Sequence, residues 1–203
     1  MIQKINEWFF YLVDRYMHQR YGDKKQQLFQ DHPDTVIEIG AGYGANFRYL
    51  RSGTKVIAIE PKESFNELLK MRAAYYGIEV EIHNYGAETM NLKSESVKMV
   101  ISSLVLCTVN NPVMAISEIR RVLEPEGRFV FLEHVKADHK SWICSVQKFT
   151  KKPWKWFFDG CHVNRNTGRI LQNAFFSRVE LERFNSKTIF VPIIPHVFGT
   201  AFK

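Results

Sequence analysis

Apolar positions along the chain follow two rhythms. Val36, Ile37 and Ile39, the KVIAIE run that ends in Glu60, the VKMVISS run opening at Val97 and the GRFVFLEHV run ending at Val135 are short and rich in β-branched or aromatic residues, which predicts strands. EVEIHN at 79 to 84 alternates as a short third strand. Between these runs the period lengthens to that of a helix. Ile2, Ile5, Phe9, Leu12 and Tyr16 recur at helical spacing ahead of the first strand, with Gly22 and Asp23 expected to punctuate that helix and Pro33 with Asp34 leading into the strand. Pro61 and Ser64 open a second helix that Gly77 should end. Asn111 and Pro112 start a third, which reaches Leu123 before an EPEG turn. Residues 138–174 lack strand character and predict two helices around a turn at Asp159, Gly160 and Cys161; RVELERFN and HVFGTAFK then return to strand patterning.

Gly40, Gly42 and Gly44 follow the first strand without a gap. A turn this tight needs residues that can take unusual φ and let the backbone approach a ligand, and a helix with free N–H groups is expected to follow. Glu60 ends the second strand twenty positions past Gly40, well placed to accept hydrogen bonds from ribose hydroxyls. The pair points to a nucleoside cofactor. Gly40, Gly42 and Ala45 also satisfy the dinucleotide pattern. Glu38 argues against a dinucleotide, because it would direct a negative charge toward a pyrophosphate, whereas the ammonium group of S-adenosylmethionine would attract it. A nicotinamide dehydrogenase is further disfavoured by the lack of a separate substrate domain.

Glu38, the three glycines, Glu60 and EIRRVLEPEGRFVFLEHV at 118–135 together resemble class I S-adenosylmethionine-dependent methyltransferases. GANF at 44–47, LVLC at 104–107, EHV at 133–135, FDGC at 158–161 and AFFS at 174–177 are similar to the alkyl-thiol methyltransferases called methyltransferase-like protein seven. The resemblance implies an α/β fold: a doubly wound, Rossmann-like sheet of seven strands, mostly parallel, in the order 3-2-1-4-5-7-6, with the last strand antiparallel and helices on both faces. It implies one domain over 1–203, with an N-terminal helical segment at 1–30 and a helical lid insertion at 138–174. It also implies S-adenosylmethionine as cofactor, S-adenosylhomocysteine as product, and cofactor contacts from Glu38, Gly40, Ala41, Gly42, Glu60, Pro61, Ala87, Glu88, Ser102 and Leu104. Two positions depart from the class. Gly86 stands where an aspartate commonly holds the adenine amino group, and Lys98 replaces an acid early in the fourth strand.

With 203 residues, 45% of them apolar, the chain can bury a sizeable core. Three cysteines without a C-x-x-C pair suit a reducing compartment, so a cytoplasmic protein is expected. No apolar run is long enough to span a bilayer, and the N-terminal anchor of the animal relatives is expected to be missing. The net charge of +7 is concentrated at 139–170, where seven Lys and Arg face Asp159 alone and Trp142, Trp154 and Trp156 interleave with them. A solvated face over an aromatic core and a peripheral contact with an anionic membrane both fit this pattern. No nucleic-acid recognition motif accompanies the charge, and no obligate protein partner is implied.

Methyl transfer from a sulfonium is an in-line displacement that needs positioning and electrostatics more than covalent help. A thiol acceptor must react as thiolate, so a base or cation nearby is useful. His134, just past the fifth strand, is the first candidate, with a hydrogen-bonded turn histidine as the alternative. Asp159 and His162 are the second, although Asp159 could equally cap a helix. Cys107 and Cys161 read as small packed residues, and no metal cluster is visible because the seven histidines lack ligand spacing. The expected function is methyl transfer to a small molecule such as an alkyl thiol, with lipid, quinone or amine acceptors as alternatives. A non-catalytic cofactor-binding module docking on a membrane is the contrasting reading.

Overall fold

Seven strands hydrogen-bond into one sheet in the order β3-β2-β1-β4-β5-β7-β6. They are β1 (Thr35–Ile39), β2 (Lys55–Ile59), β3 (Glu79–His83), β4 (Val97–Ser103), β5 (Leu123–His134), β6 (Arg178–Asn185) and β7 (Pro195–Phe202). Strands β1 to β5 pair in parallel, and β7 runs antiparallel to both β5 and β6, as the resemblance implies. In this computed structural model the backbone is described for residues 2–203 and side chains for residues 14–203. The apolar stripe at Ile2, Ile5, Phe9 and Leu12 therefore lies outside the described side chains.

The helices are α1 (Ile2–Phe29), α2 (Asn66–Tyr76), α3 (Pro112–Val122), α4 (Trp142–Phe157) and α5 (Thr167–Gln172); α4 packs on the 3-10 turn at Val191–Ile193 and the others pack on strands. Alternation along β1 sends Ile37 and Ile39 to one face, where they join Ala115, Ile116 and Ile119 of α3 and Leu171 of α5. Val36 points the other way, into a second core with Phe29 of α1 and Leu69 and Ala73 of α2. Glu38 is thereby carried onto the face that α1 covers. This is the strand geometry that matters for the site.

Three local expectations are corrected. Helix α1 does not stop at Gly22 but continues to Phe29. A Cβ at Gly22 would lie 3.1 Å from the His18 ring, which hydrogen-bonds Tyr49 at 2.6 Å, so the glycine allows the helix to pack closely on the loop after β1. The helix expected after Gly44 is a single 3-10 turn at Phe47–Tyr49. Only a short segment separates that turn from β2, and its far end is tied down: Arg51 donates its N–H to His32 Nε2 and its guanidinium to the His32 carbonyl. The EPEG segment expected as a turn lies inside β5, which already pairs with β4 at Leu123; Glu126 at φ 64° and a register shift between Val97 and Met99 leave it as an irregularity in the strand. Elsewhere the punctuation acts where expected. Gly77 caps α2 in the left-handed region at φ 67°, and the Asn111 side chain accepts from the N–H groups of Val113 and Met114 at the start of α3.

Candidate active site

The carboxyl ends of β1, β2, β4 and β5 converge on one edge of the sheet, where open α/β folds bind ligands. After β1 the chain turns through Gly40, Gly42 and Gly44, all at positive φ. Gly40 is packed so tightly that a Cβ would fall 2.5 Å from Val105 Cγ2, whereas a Cβ on Gly42 would meet nothing closer than the Gly40 carbonyl oxygen at 4.0 Å. Gly40 is glycine for packing, and Gly42 faces open space. Glu60, at the end of β2, accepts from Gly42 N at 2.8 Å and from Lys62 N at 3.0 Å. One N–H on each oxygen leaves carboxylate lone pairs for ribose hydroxyls, and burial raises its pKa.

Glu38 is buried below the loop, and its Oε1 accepts from Asn46 Nδ2 at 2.6 Å. Asn46 Oδ1 in turn accepts from Lys25 Nζ at 2.7 Å. Lys25 lies on α1, and sequence reasoning passed over it; the available signal was a lysine on the same helical stripe as the buried Tyr21 and Phe29. Burial pushes Glu38 up to about 7 despite Asn46 and Lys25, and draws Lys25 down to about 8 despite Glu38. Glu38 Oε2 has no hydrogen-bond partner.

The remaining expected contacts fall around this core. Ala41 and Ala87 are buried, and Pro61 is exposed. Glu88 accepts from the N–H groups of Asn110 and Asn111, tying the loop after β3 to the loop after β4. Ser102 gives its hydroxyl to Glu133 Oε1 at 2.6 Å, inside the sheet. The same oxygen accepts from Val105 N, so Glu133 pins the loop after β4. Leu104 sits in that loop at φ 62° and donates its N–H to Leu132 O.

His134 and Asp159 are not brought together. Asp159 pairs with Lys62, clasping the turn after α4 to the loop after β2. His134 instead faces Cys161, with Nε2 3.1 Å from Sγ, and Cys161 Sγ is 3.6 Å from Cys107 Sγ. Burial opposes a charge on His134, but the neighbouring Cys107 and Glu133 outweigh it and raise its pKa. The thiol–thiol contact and burial push Cys107 well up. His162 donates its backbone N–H to the Cys107 carbonyl, and burial with nearby Arg165 lowers its pKa. The three buried side chains border a cavity of about 90 Å³ lined by Met17, Leu104, Trp154, Phe158, Phe190 and Ile193. A larger hollow of about 280 Å³ beside Arg128 and Thr200 lies at the opposite end of β5, away from this edge.

Residues 37–131 match the family described as a methyltransferase domain. The chain is 35% identical over 191 residues to the rat protein named thiol S-methyltransferase TMT1B, spanning 89% of this chain and 78% of that one. It is 30% identical over 211 residues to human thiol S-methyltransferase TMT1A, spanning 97% and 86%. The chain belongs to the S-adenosylmethionine-dependent methyltransferases, beside the TMT1 proteins. A solved Thermotoga maritima S-adenosylmethionine-dependent enzyme, described as a possible histamine N-methyltransferase, superposes with a TM-score of 0.67 at 20% identity over 100% of this chain and 97% of that one, a likeness of fold.

The methyltransferase's residues fit its cofactor. The buried, unpartnered Glu38 oxygen offers negative charge to a cationic amino acid moiety, Gly42 leaves space for close approach, and the Glu60 carboxylate retains acceptors for a ribose. S-adenosylmethionine, when bound, supplies the electrophilic methyl of a sulfonium.

Proposed function

We propose that this methyltransferase acts on the sulfur of a small alkyl thiol, with Glu38, the Gly40 to Gly42 turn and Glu60 holding the cofactor. The observation that carries the reading is the cavity: apolar walls that suit an alkyl chain end at one polar cluster, His134 with Cys107 and Cys161. The names of the TMT1 relatives agree with it. Asp159 acts by closing the α4–α5 segment over the cofactor through Lys62, and His134 belongs to the acceptor side. The three free cysteines suit work in a reducing compartment. Transfer of labelled methyl to a panel of thiols, amines, quinones and lipids tests the reading; preference for a non-thiol replaces it, and cofactor binding without any turnover favours the non-catalytic module.

A second reading concerns where the enzyme collects its acceptor. Trp142, Phe149 and Trp156 are spaced by seven along α4, so they share one stripe, and they are 64%, 88% and 67% exposed. Lys148, Lys151, Lys152 and Lys155 are exposed on the same helix. Aromatic side chains beside lysines suit the headgroup layer of an anionic bilayer, on which α4 would lie without crossing. No helix among the described residues is long and apolar enough to cross a membrane.

A further inference from the structure

Cys107, His134 and Cys161 form the one cluster of metal-ligating side chains found among the described residues, with their ligand atoms all within 4.8 Å of one another. We propose that they are a binding site for a thiophilic divalent ion such as zinc, whose fourth position opens on the apolar cavity and receives the acceptor's sulfur. The identity of that fourth ligand rests on the thiol reading; the three protein ligands do not.

Two thiols and an imidazole are a ligand set that soft or borderline ions prefer, and three protein ligands with an open fourth position are the pattern of catalytic zinc. The spacing agrees. Zinc–sulfur bonds of about 2.3 Å and zinc–nitrogen bonds of about 2.0 Å place tetrahedral ligands about 3.8 Å apart for two sulfurs and about 3.5 Å for sulfur and nitrogen. Here Cys107 and Cys161 are 3.6 Å apart, and His134 Nε2 is 3.1 Å from Cys161 Sγ. The third pair, Cys107 and His134, lies within 4.8 Å, so side-chain adjustments of up to about one ångström, outward at Cys161 and inward between Cys107 and His134, bring the three ligands onto one ion.

The ligands also come from three separate elements that are braced to one another. His134 ends β5. Cys107 lies in the loop pinned by Glu133 at Val105 and by Leu132 at Leu104. Cys161 follows the turn after α4, where His162 N donates to Cys107 O at 2.9 Å, and Arg165 Nη1 donates to the carbonyls of Leu106 and Val109 at 2.6 and 2.7 Å. Such bracing holds ligands in place before the ion arrives. Charge is compatible with the burial as well: two thiolates and a divalent ion sum to zero, where two unpaired thiolates in this pocket would be costly.

The chemistry balances. On coordination the acceptor's S–H bond breaks and its proton leaves to solvent, so sulfur becomes a thiolate without a separate base. That thiolate's electron pair forms the new sulfur–carbon bond as the methyl–sulfonium bond breaks, and the released pair stays on the cofactor sulfur. The product is a neutral thioether, a weaker ligand than the thiolate, which favours its departure; the metal keeps its oxidation state.

The full-length protein, reduced and stripped with a chelator, is titrated anaerobically with Co(II). The expected result is one cobalt per chain, a thiolate-to-cobalt charge-transfer band and the intense visible bands of tetrahedral cobalt. Propanethiol should then strengthen the charge-transfer band as a third sulfur joins. Cys107→Ser and Cys161→Ser should lose most of the band, and Cys144→Ser, elsewhere in the fold, should keep it. Binding of S-adenosylhomocysteine verifies that each variant is folded. Wild-type protein that binds S-adenosylhomocysteine but gives no thiolate–cobalt band overturns the site, as does a band that survives in the Cys107→Ser, Cys161→Ser double variant. Thiol methylation without cobalt uptake would remove the metal and leave the thiol reading standing, whereas cobalt uptake without thiol turnover would do the reverse.

Discussion

Lys25 of α1 and Glu38 of β1 are joined through a single side chain, Asn46, which accepts from the lysine at 2.7 Å and donates to the carboxylate at 2.6 Å. All three are buried. The N-terminal helix therefore reaches beneath the glycine turn that follows β1, and a lysine lies beside the position where a helix N-terminus was expected.

Burial raises Glu38 to about 7, above the 4.5 of a free glutamate, so the folded protein takes up a proton as pH falls through that value. A cationic ligand stabilises the ionised form. Affinity for S-adenosylmethionine should therefore rise between about pH 6 and about pH 8, with proton release on binding. Calorimetry in buffers of different ionisation enthalpy measures both, and Glu38→Gln should flatten the profile. The same raised pKa costs native stability as pH climbs from 4.5 to about 7, so the Gln variant should unfold less steeply with pH across that window.

Glu60 fastens the turn through Gly42 N while keeping lone pairs for the ribose. Glu60→Ala should weaken cofactor binding by about 1 to 3 kcal/mol. Unchanged affinity for S-adenosylhomocysteine would remove Glu60 from the site.

The two glycines should separate stability from binding. Gly40→Ala places a methyl 2.5 Å from β-branched Val105 at φ 57°, and should cost about 2 to 4 kcal/mol in thermal unfolding. Gly42→Ala at φ 56° meets nothing closer than the Gly40 carbonyl oxygen at 4.0 Å, so it should cost stability only about 1 kcal/mol while lowering cofactor affinity more. A Gly42→Ala protein with normal affinity would make the loop only a turn.

If α4 rests on an anionic bilayer, each exposed lysine contributes about 1 kcal/mol of attraction. Replacing Lys151, Lys152 and Lys155 together should abolish binding to phosphatidylserine vesicles at low salt and leave turnover of a soluble thiol nearly unchanged. Equal loss of both would place these lysines in the closing segment.

The strand order and the glycine turn could be read from the sequence because their causes are local or carried by the resemblance. Glycine chemistry marks Gly40 and Gly42, β-branched runs mark β1 and β4, and Gly77 ends α2 by itself. Gly22 misled because a glycine inside a helix can be there for a neighbour, here the loop carrying Tyr49. The thiol and imidazole cluster escaped for a different reason. Cys107, His134 and Cys161 are separated by 27 positions each way, far beyond any ligand motif, and only the pairing of β4 with β5 and the bracing by Arg165 bring them together.

The proposed reaction is methylation of a thiol sulfur. It is tested most directly by incubating the full-length protein with methyl-labelled S-adenosylmethionine and propanethiol, and following the labelled thioether and S-adenosylhomocysteine by mass spectrometry. Both products should appear in equal amounts, with saturation in thiol, and propanol or propylamine at the same concentration should yield none. Production of S-adenosylhomocysteine with the label on an amine or lipid instead, or no labelled thioether from a protein shown to bind the cofactor, would contradict it.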